Sequence, residues 1–266
     1  MSRHIGVLFV AVALVVSACA TAGTANQRQA PTSLTVFAAA SLKGALERAR
    51  TAFETAKPRL TITLSTDSSA ALRTQIEQGA PADVFLSADT TNPQRLVDAG
   101  LAAGAPINFA GNVLTVIVPL ANPANLASPA DLARPGVKII AAGDEVPITK
   151  YASQLVGNLA REAGYPADIA ARYAANVVSR EDNVRAIVTK VELGEGDAGI
   201  VYATDAKSST KVTRLDPPAA ANVPAAYAGV VVKASKQAEP ARAFLEWLAG
   251  PAGQAILAEF GFTSAA

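Results

Sequence analysis

Two serines stand where a predicted strand passes into a predicted helix, and each could bind a small anion. The apolar run from Leu34 to Ala40 indicates a buried strand, and apolar residues at helical spacing follow Ser41. The pattern recurs over residues 60–79, where Ser69 stands at the second helix start. A helix start carries unpaired N–H groups and a partial positive charge, so two of them could converge on one anion. The alternative is that each serine only caps its helix.

Three further segments place neutral donors at strand ends. Pro147 suits the first position of a helix, which leaves the Ile148 N–H free, and Val184 begins another apolar helical pattern. Tyr202 ends the strand GIVY, where its hydroxyl can donate while its ring packs. Ligands of open α/β sheets gather at such strand ends. Neutral donors suit a tetrahedral oxyanion without protons, although ordinary caps and a packing tyrosine are the alternatives.

The scarcity of histidine and cysteine excludes several kinds of chemistry. The only histidine, His4, lies in a predicted leader segment, and Cys19 is the only cysteine. Most zinc, copper and iron sites and the Ser–His–Asp nucleophile systems therefore lack their residues. The stretch from Ser208 to Lys211 has the spacing of a serine acyl enzyme, but it lies in a polar loop without the companion motifs.

The N-terminus resembles the leader of a bacterial lipoprotein. Arg3 and an apolar run that is too short to span a bilayer precede small residues and Cys19. We expect a signal peptide over residues 1–18, membrane attachment through a lipid on Cys19, and a flexible tether over residues 19–33. The alternative is an ordinary secretory signal. Loss of Arg3 would leave equal numbers of basic and acidic residues, so we expect no nucleic-acid partner.

Predicted strands and helices alternate along the chain, which indicates an α/β fold whose sheets are covered by helices. Gly/Pro/Asn clusters near residues 103–111 and 217–224 suggest two crossings between lobes. We expect one lobe over 34–111 plus 229–266 and a second over 112–228. The predicted strands are 34–39, 60–64, 83–87, 113–118, 137–141, 176–178, 198–202 and 228–232. The predicted helices are 42–56, 70–78, 91–99, 147–163, 167–174, 183–193 and 239–259.

The chain resembles the periplasmic molybdate-binding proteins of ABC importers, which belong to the type II periplasmic-binding-protein superfamily. The resemblance extends from about residue 34 to residue 263, in family order. The matching strings are TVFAAASL (35–42), QIEQGAPADVFLSAD (75–89), EVP (145–147), ED with VR (181–185), GIVYATD (199–205) and FGFT (260–263).

This resemblance implies a two-lobed fold, each lobe a mostly parallel sheet flanked by helices, with the ligand in the cleft between them. It implies that Ser41 and Ser69 donate hydroxyl and backbone N–H groups, that Ile148 and Val184 donate backbone N–H groups, and that Tyr202 donates its hydroxyl. Molybdate or tungstate is the implied ligand, without catalysis, cofactor or a metal ion bound directly by protein groups. The implied partners are a membrane permease and its cytoplasmic ATPase, and we expect a monomer on the periplasmic side of the cell membrane.

Three positions depart from the family pattern. Asp67 stands near the second serine where small neutral residues are usual, and we expect its carboxylate to point outward because it would repel a dianion. Thr149 and Lys150 replace smaller residues and could reshape the pocket. One extra residue leaves Asn183 and Val184 competing as the backbone donor, and we favour Val184.

Two other functions remain open. A receptor of the same fold could bind sulfate or phosphate, but protonated phosphate needs an acceptor, which only Asp67 could supply. A secreted serine acyl enzyme using Ser41 or Ser208 is the alternative from another class.

Overall fold

The computed structural model describes residues 32–265, so the predicted signal peptide and Cys19 lie outside the described residues. Ten strands and nine α-helices follow one another over this part of the chain. The strands are β1 (Thr32–Ala39), β2 (Leu60–Asp67), β3 (Val84–Ser87), β4 (Ile107–Asn112), β5 (Leu114–Pro119), β6 (Ile139–Ala142), β7 (Val177–Glu181), β8 (Ala198–Tyr202), β9 (Val212–Leu215) and β10 (Ala225–Val231).

The helices cover both sheets, and two short 3-10 helices at Ala40–Leu42 and Pro129–Ala133 accompany them. The α-helices are α1 (Lys43–Ala56), α2 (Ser69–Glu77), α3 (Thr91–Asp98), α4 (Pro147–Leu159), α5 (Ile169–Asn176), α6 (Val184–Glu192), α7 (Ala203–Lys207), α8 (Ala238–Ala249) and α9 (Pro251–Glu259). None of the helices described for residues 32–265 is long and apolar enough to cross a bilayer.

The strands form two five-stranded sheets, with the orders β2-β1-β3-β10-β4 and β7-β6-β8-β5-β9. In the first sheet β1 pairs in parallel with β2 and β3, whereas β10 is antiparallel to β3 and β4. In the second sheet β6 is parallel to β7 and β8, whereas β5 is antiparallel to β8 and β9. The α/β prediction is confirmed: in each sheet four of the five strands run in the same direction, and only β10 or β5 runs against its neighbours.

Each sheet with its helices is one lobe of the molecule. The chain passes from the first sheet to the second at Val113, between β4 and β5, and returns between β9 and β10. The lobe boundaries given above stay a prediction; β10 already begins at Ala225.

Apolar strands place the polar strand ends at the cleft. In β1, Leu34, Val36 and Ala38 are completely buried, and the parallel pairing aligns Ala39 with Asp67 at the ends of β1 and β2. The ends of β1 and β2 therefore deliver Ser41 and Ser69 to the same edge of the first sheet. β1 also begins at Thr32, two residues inside the predicted tether, because Thr32 and Ser33 pair with β2.

Candidate functional site

A small cavity between the lobes contains all five residues predicted to bind a ligand. Its free space is about 220 Å³, part of it open to solvent. The space that the centre of a water molecule can occupy is only about 10 Å³. This is far below the roughly 300–1,000 Å³ typical of pockets for organic ligands, so the cavity suits only a small ligand. The cavity is lined by Ala39, Ala40, Ser41, Ser68, Ser69, Ala88, Val146, Pro147, Ile148, Asn183, Val184 and Tyr202.

Ser41 lies in the 3-10 helix between β1 and α1 and does not cap α1. Leu42 occupies the N-cap position of that helix, which has no side-chain cap. The Ser41 hydroxyl instead lies 2.9 Å from the hydroxyl of Tyr227, a buried residue of β10. The expectation of a capping serine is wrong here, because a 3-10 turn separates the strand from the α-helix.

The adjacent residues Ser68 and Ser69 both line the cavity but make different hydrogen bonds. Ser68 is the N-cap of α2, and its hydroxyl accepts the Ala71 N–H at 3.2 Å. Ser69 is the first residue of the helix, and its Oγ accepts the Ala88 N–H at 3.0 Å. Since a hydroxyl that accepts one hydrogen bond still carries its own proton, Ser69 can donate that proton to a ligand.

Ile148 presents a helix start of the second lobe. Pro147 is the first residue of α4, as predicted, and Ile148 follows it, so no preceding helical carbonyl accepts its N–H. Thr149 does not line the cavity, and its hydroxyl donates to the Gly143 carbonyl at 2.7 Å. Lys150 is exposed and does not line the cavity either.

Asn183 and Val184 both line the cavity, in different roles. Asn183 is the N-cap of α6, and its Oδ1 accepts the Ala186 N–H at 3.2 Å. Val184 is the first helical residue, where a backbone N–H lacks an acceptor within the helix. This position is compatible with the preferred donor, whose role in binding remains a prediction.

Tyr202 brings a buried hydroxyl to the cavity. Only 1% of its surface is exposed, and its hydroxyl has no hydrogen-bond partner among the described residues. Its ring packs edge-on against Tyr151 and Tyr227, at centroid distances of 6.2 and 5.6 Å. Burial raises the pKa of Tyr202 well above its usual value of 10, so the hydroxyl keeps its proton and can donate it.

No charged side chain is among the residues lining the cavity. Asp67 lies outside the lining, and its Oδ1 accepts the Ser68 N–H at 2.7 Å. The Asp67 Oδ1 also accepts a hydrogen bond from the Asn183 Nδ2 at 3.2 Å. Arg185 donates to the Ser208 hydroxyl at 2.8 Å instead of entering the cavity. The described residues contain no group of three or more His, Cys, Asp or Glu that could hold a metal ion.

A buried carboxylate lies close to the two tyrosines. Asp205 is 1% exposed, and neither carboxylate oxygen has a hydrogen-bond partner among the described residues. Burial raises the pKa of Asp205 to about 7, although the positive charge of Arg185 opposes this shift.

Sequence patterns did not identify the groups that support the lining residues. Tyr227 and the polar Asn112 lie in β10 and β4, and the Asn112 Nδ2 lies 2.9 Å from the Thr204 Oγ1 and 3.4 Å from the Tyr227 hydroxyl. Only their polarity within apolar strand sequences could have indicated a buried network. The Ser208 hydroxyl, in contrast, donates to the Asp205 carbonyl and accepts from Arg185, so its described hydrogen bonds do not involve Lys211.

Comparison with known proteins places this chain in a family. The family model described as bacterial extracellular solute-binding protein matches residues 34–263. The molybdate-binding protein ModA of Mycobacterium tuberculosis (strain H37Rv) is 37% identical over 250 residues, which cover 92% of this chain and 91% of that protein.

Solved structures support the same assignment. The periplasmic molybdate-binding protein of Azotobacter vinelandii superimposes with a TM-score of 0.73 at 26% identity, covering 86% of this chain and 98% of that one. The sulfate-binding protein SubI of M. tuberculosis H37Rv gives a TM-score of 0.75 at 24% identity, covering 87% of this chain and 86% of that one, and supports the fold alone. The predicted two-lobed fold and family resemblance are confirmed: the chain belongs to the bacterial extracellular solute-binding proteins.

Proposed function

We propose that this protein captures molybdate outside the cytoplasm and delivers it to the permease of an ABC importer that a cytoplasmic ATPase drives. Tungstate, which has nearly the same size and charge, should bind at the same place. Ser41 and Ser69 donate hydroxyl and backbone N–H groups from the first lobe. Ile148 and Val184 donate backbone N–H groups from the second lobe, and Tyr202 donates its hydroxyl.

The observation that carries this proposal is the buried Tyr202 hydroxyl, which has no partner among the described residues and belongs to a residue that lines a cavity of uncharged groups. An unsatisfied buried hydroxyl costs roughly 1–3 kcal/mol, and a bound oxyanion would remove this cost by accepting its proton. Hydrogen bonds to a charged group contribute roughly 1.5–3 kcal/mol each, so several can offset the dehydration of a dianion. The relatives named as molybdate-binding proteins support molybdate as the ion.

Phosphate is a weaker candidate because it carries a proton at neutral pH and requires an acceptor. The only carboxylate near the second serine, Asp67, lies outside the lining and already accepts the Ser68 N–H. Sulfate has no proton and the fold also occurs in a sulfate-binding protein, so ion size has to distinguish sulfate from molybdate.

The proposal extends to location and chemistry. A lipid on Cys19 holds the protein as a monomer at the extracytoplasmic face of the membrane. It needs no cofactor and catalyses no reaction. Acyl transfer by Ser41 is disfavoured because its described side-chain partner is the hydroxyl of Tyr227 rather than a base.

Calorimetry with molybdate, tungstate, sulfate and phosphate tests the ligand. We expect tight binding of molybdate and tungstate, with much weaker binding of the other two ions. Elemental analysis of the purified protein should detect co-purifying molybdenum or tungsten. A preference for sulfate or phosphate would contradict the proposed ligand.

A further inference from the structure

Beside the cavity, the side chains of Asn183 and Asp67 form a hydrogen bond between the two lobes. The Asn183 Nδ2 donates to the Asp67 Oδ1 at 3.2 Å, across 116 residues of sequence. Asp67 ends β2 of the first sheet, and Asn183 stands between β7 of the second sheet and α6. The contact therefore bridges the cleft.

Each end of this contact is attached to a helix start that lines the cavity. On one side, the same Asp67 oxygen accepts the Ser68 N–H at 2.7 Å, and Ser68 caps α2. On the other side, the Asn183 oxygen caps α6 by accepting the Ala186 N–H at 3.2 Å. The oxygen of the Asn183 side chain thus caps its own helix, and its nitrogen binds the opposite lobe.

We propose that Asp67 and Asn183 form a positioning pair, the interlobe clasp, that holds the starts of α2 and α6 at the spacing an oxyanion needs. The expected effects of the clasp on molybdate affinity rest on the proposed function. Neither residue of the clasp needs to donate its side chain to the ligand. The clasp also explains why a carboxylate, which would repel an anion, lies this close to the cavity.

Substitutions at Asp67 separate the hydrogen bond from the charge. Asp67→Ala removes both, whereas Asp67→Asn removes the charge and keeps an oxygen that can accept from Ser68 and Asn183. If the clasp positions the lobes, Asp67→Ala should weaken molybdate binding roughly five- to twentyfold, mainly through faster dissociation. Asp67→Asn should restore most of the affinity. Tighter or unchanged binding in Asp67→Ala would show that the charge only repels the ligand and would overturn the clasp.

Substitution of Asn183 tests the opposite lobe. Asn183→Asp keeps a good cap for α6 but places a second carboxylate against Asp67. Because Asn183 also lines the cavity, this charge repels the ligand directly as well, so binding should weaken more than in Asp67→Ala. The double variant Asp67→Asn with Asn183→Asp carries the parent's net charge and restores an amide–carboxylate pair. It should bind more tightly than Asn183→Asp alone. Absence of this rescue would contradict the inference.

Small-angle scattering of the ligand-free proteins makes the test independent of the ligand. Asn183→Asp should increase the radius of gyration, because the facing carboxylates drive the lobes apart, and the double variant should reverse the increase. If the parent binds none of the four oxyanions, the proposed function fails while the scattering comparison still decides the clasp. Identical radii in the parent, Asn183→Asp and the double variant would overturn it.

Discussion

The Ser41 hydroxyl lies 2.9 Å from the Tyr227 hydroxyl, so β10 holds the first serine of the cavity. The amide nitrogen of Asn112 lies 3.4 Å from the same tyrosine oxygen and can only donate to it. Either hydroxyl of the Ser41–Tyr227 pair can be the donor. We expect Tyr227 to donate to Ser41, because the Ser41 proton is then available for a ligand and such chains strengthen their last donor.

Replacement of Tyr227 by Phe should therefore weaken molybdate binding, because Ser41 would lose the group that orients its proton. We expect a loss of roughly 0.5–1.5 kcal/mol, the usual range for one neutral hydrogen bond. Calorimetry measures the loss, and Tyr165→Phe, remote from the cavity lining, is the matched control. Equal affinities of Tyr227→Phe and the parent would show that Ser41 does not depend on this network.

Tyr202→Phe should change affinity and stability in opposite directions. The variant loses a donor to the anion, so binding should weaken by roughly 1.5–3 kcal/mol. It also removes a buried hydroxyl that has no partner among the described residues, so the ligand-free protein should unfold at a higher temperature. Thermal melts with and without molybdate measure both effects. A lower melting temperature without ligand would indicate that this hydroxyl has a partner in the free protein.

Alanine at either serine should reduce both the affinity for the oxyanion and the stability of the fold. Ser41→Ala and Ser69→Ala should each weaken oxyanion binding by roughly 1.5–3 kcal/mol. Ser69→Ala leaves the buried Ala88 N–H without its acceptor, and Ser41→Ala deprives the buried Tyr227 hydroxyl of its 2.9 Å partner. Each loss should cost roughly 1–3 kcal/mol of unfolding free energy. Urea titrations and calorimetry separate the effects, with exposed Ser153→Ala as control. If both serine variants bind like the parent, the site is misplaced.

The raised pKa of Asp205 predicts that the stability of the protein depends on pH. Burial raises its pKa from 3.8 to about 7, so the folded protein retains a proton that the unfolded chain has released. The unfolding free energy should therefore fall as the pH rises from about 4 to about 7, and the penalty is complete above that range. Asp205→Asn removes this penalty.

The variant should be more stable than the parent at pH 8, by on the order of a few kcal/mol, with no such gain at pH 4. Urea unfolding across this range measures the difference. Asp168→Asn is the control, because Asp168 is exposed and its hydrogen bond with Arg172 lowers its pKa. A stability gain that does not vary with pH would contradict the assignment to Asp205.

Local patterns predicted most of the elements around the cavity. Strand ends followed by helical spacing identified the segments of Ser69, Ile148, Val184 and Tyr202, because apolar periodicity and caps are short-range signals. The predicted helix 239–259 is divided into α8 and α9 at Pro251, which starts a new helix. Whether the five lining residues bind the ligand stays a prediction.

Contacts between segments that are distant in sequence could not be predicted from local patterns. β4 lies in a segment interpreted as a crossing, since its glycine and asparagines are turn residues. In the structure Gly111 exchanges backbone hydrogen bonds with Thr263 at 2.7 and 2.9 Å. A Cβ at Gly111 would collide with the Thr263 side chain, so this glycine permits close approach of the C-terminal segment. The Tyr227–Ser41 contact, 186 residues apart, is equally invisible to local spacing.

The absence of charged side chains from the cavity lining also affects unloading. If the proposed site binds an oxyanion, its release would leave no unpaired cationic side chain in the lining. Water can satisfy each exposed N–H and O–H dipole in turn, at a small cost per group. A binding site of this kind could bind a dianion tightly when the lobes are closed. It could then release the ion to a transporter that only has to separate the lobes.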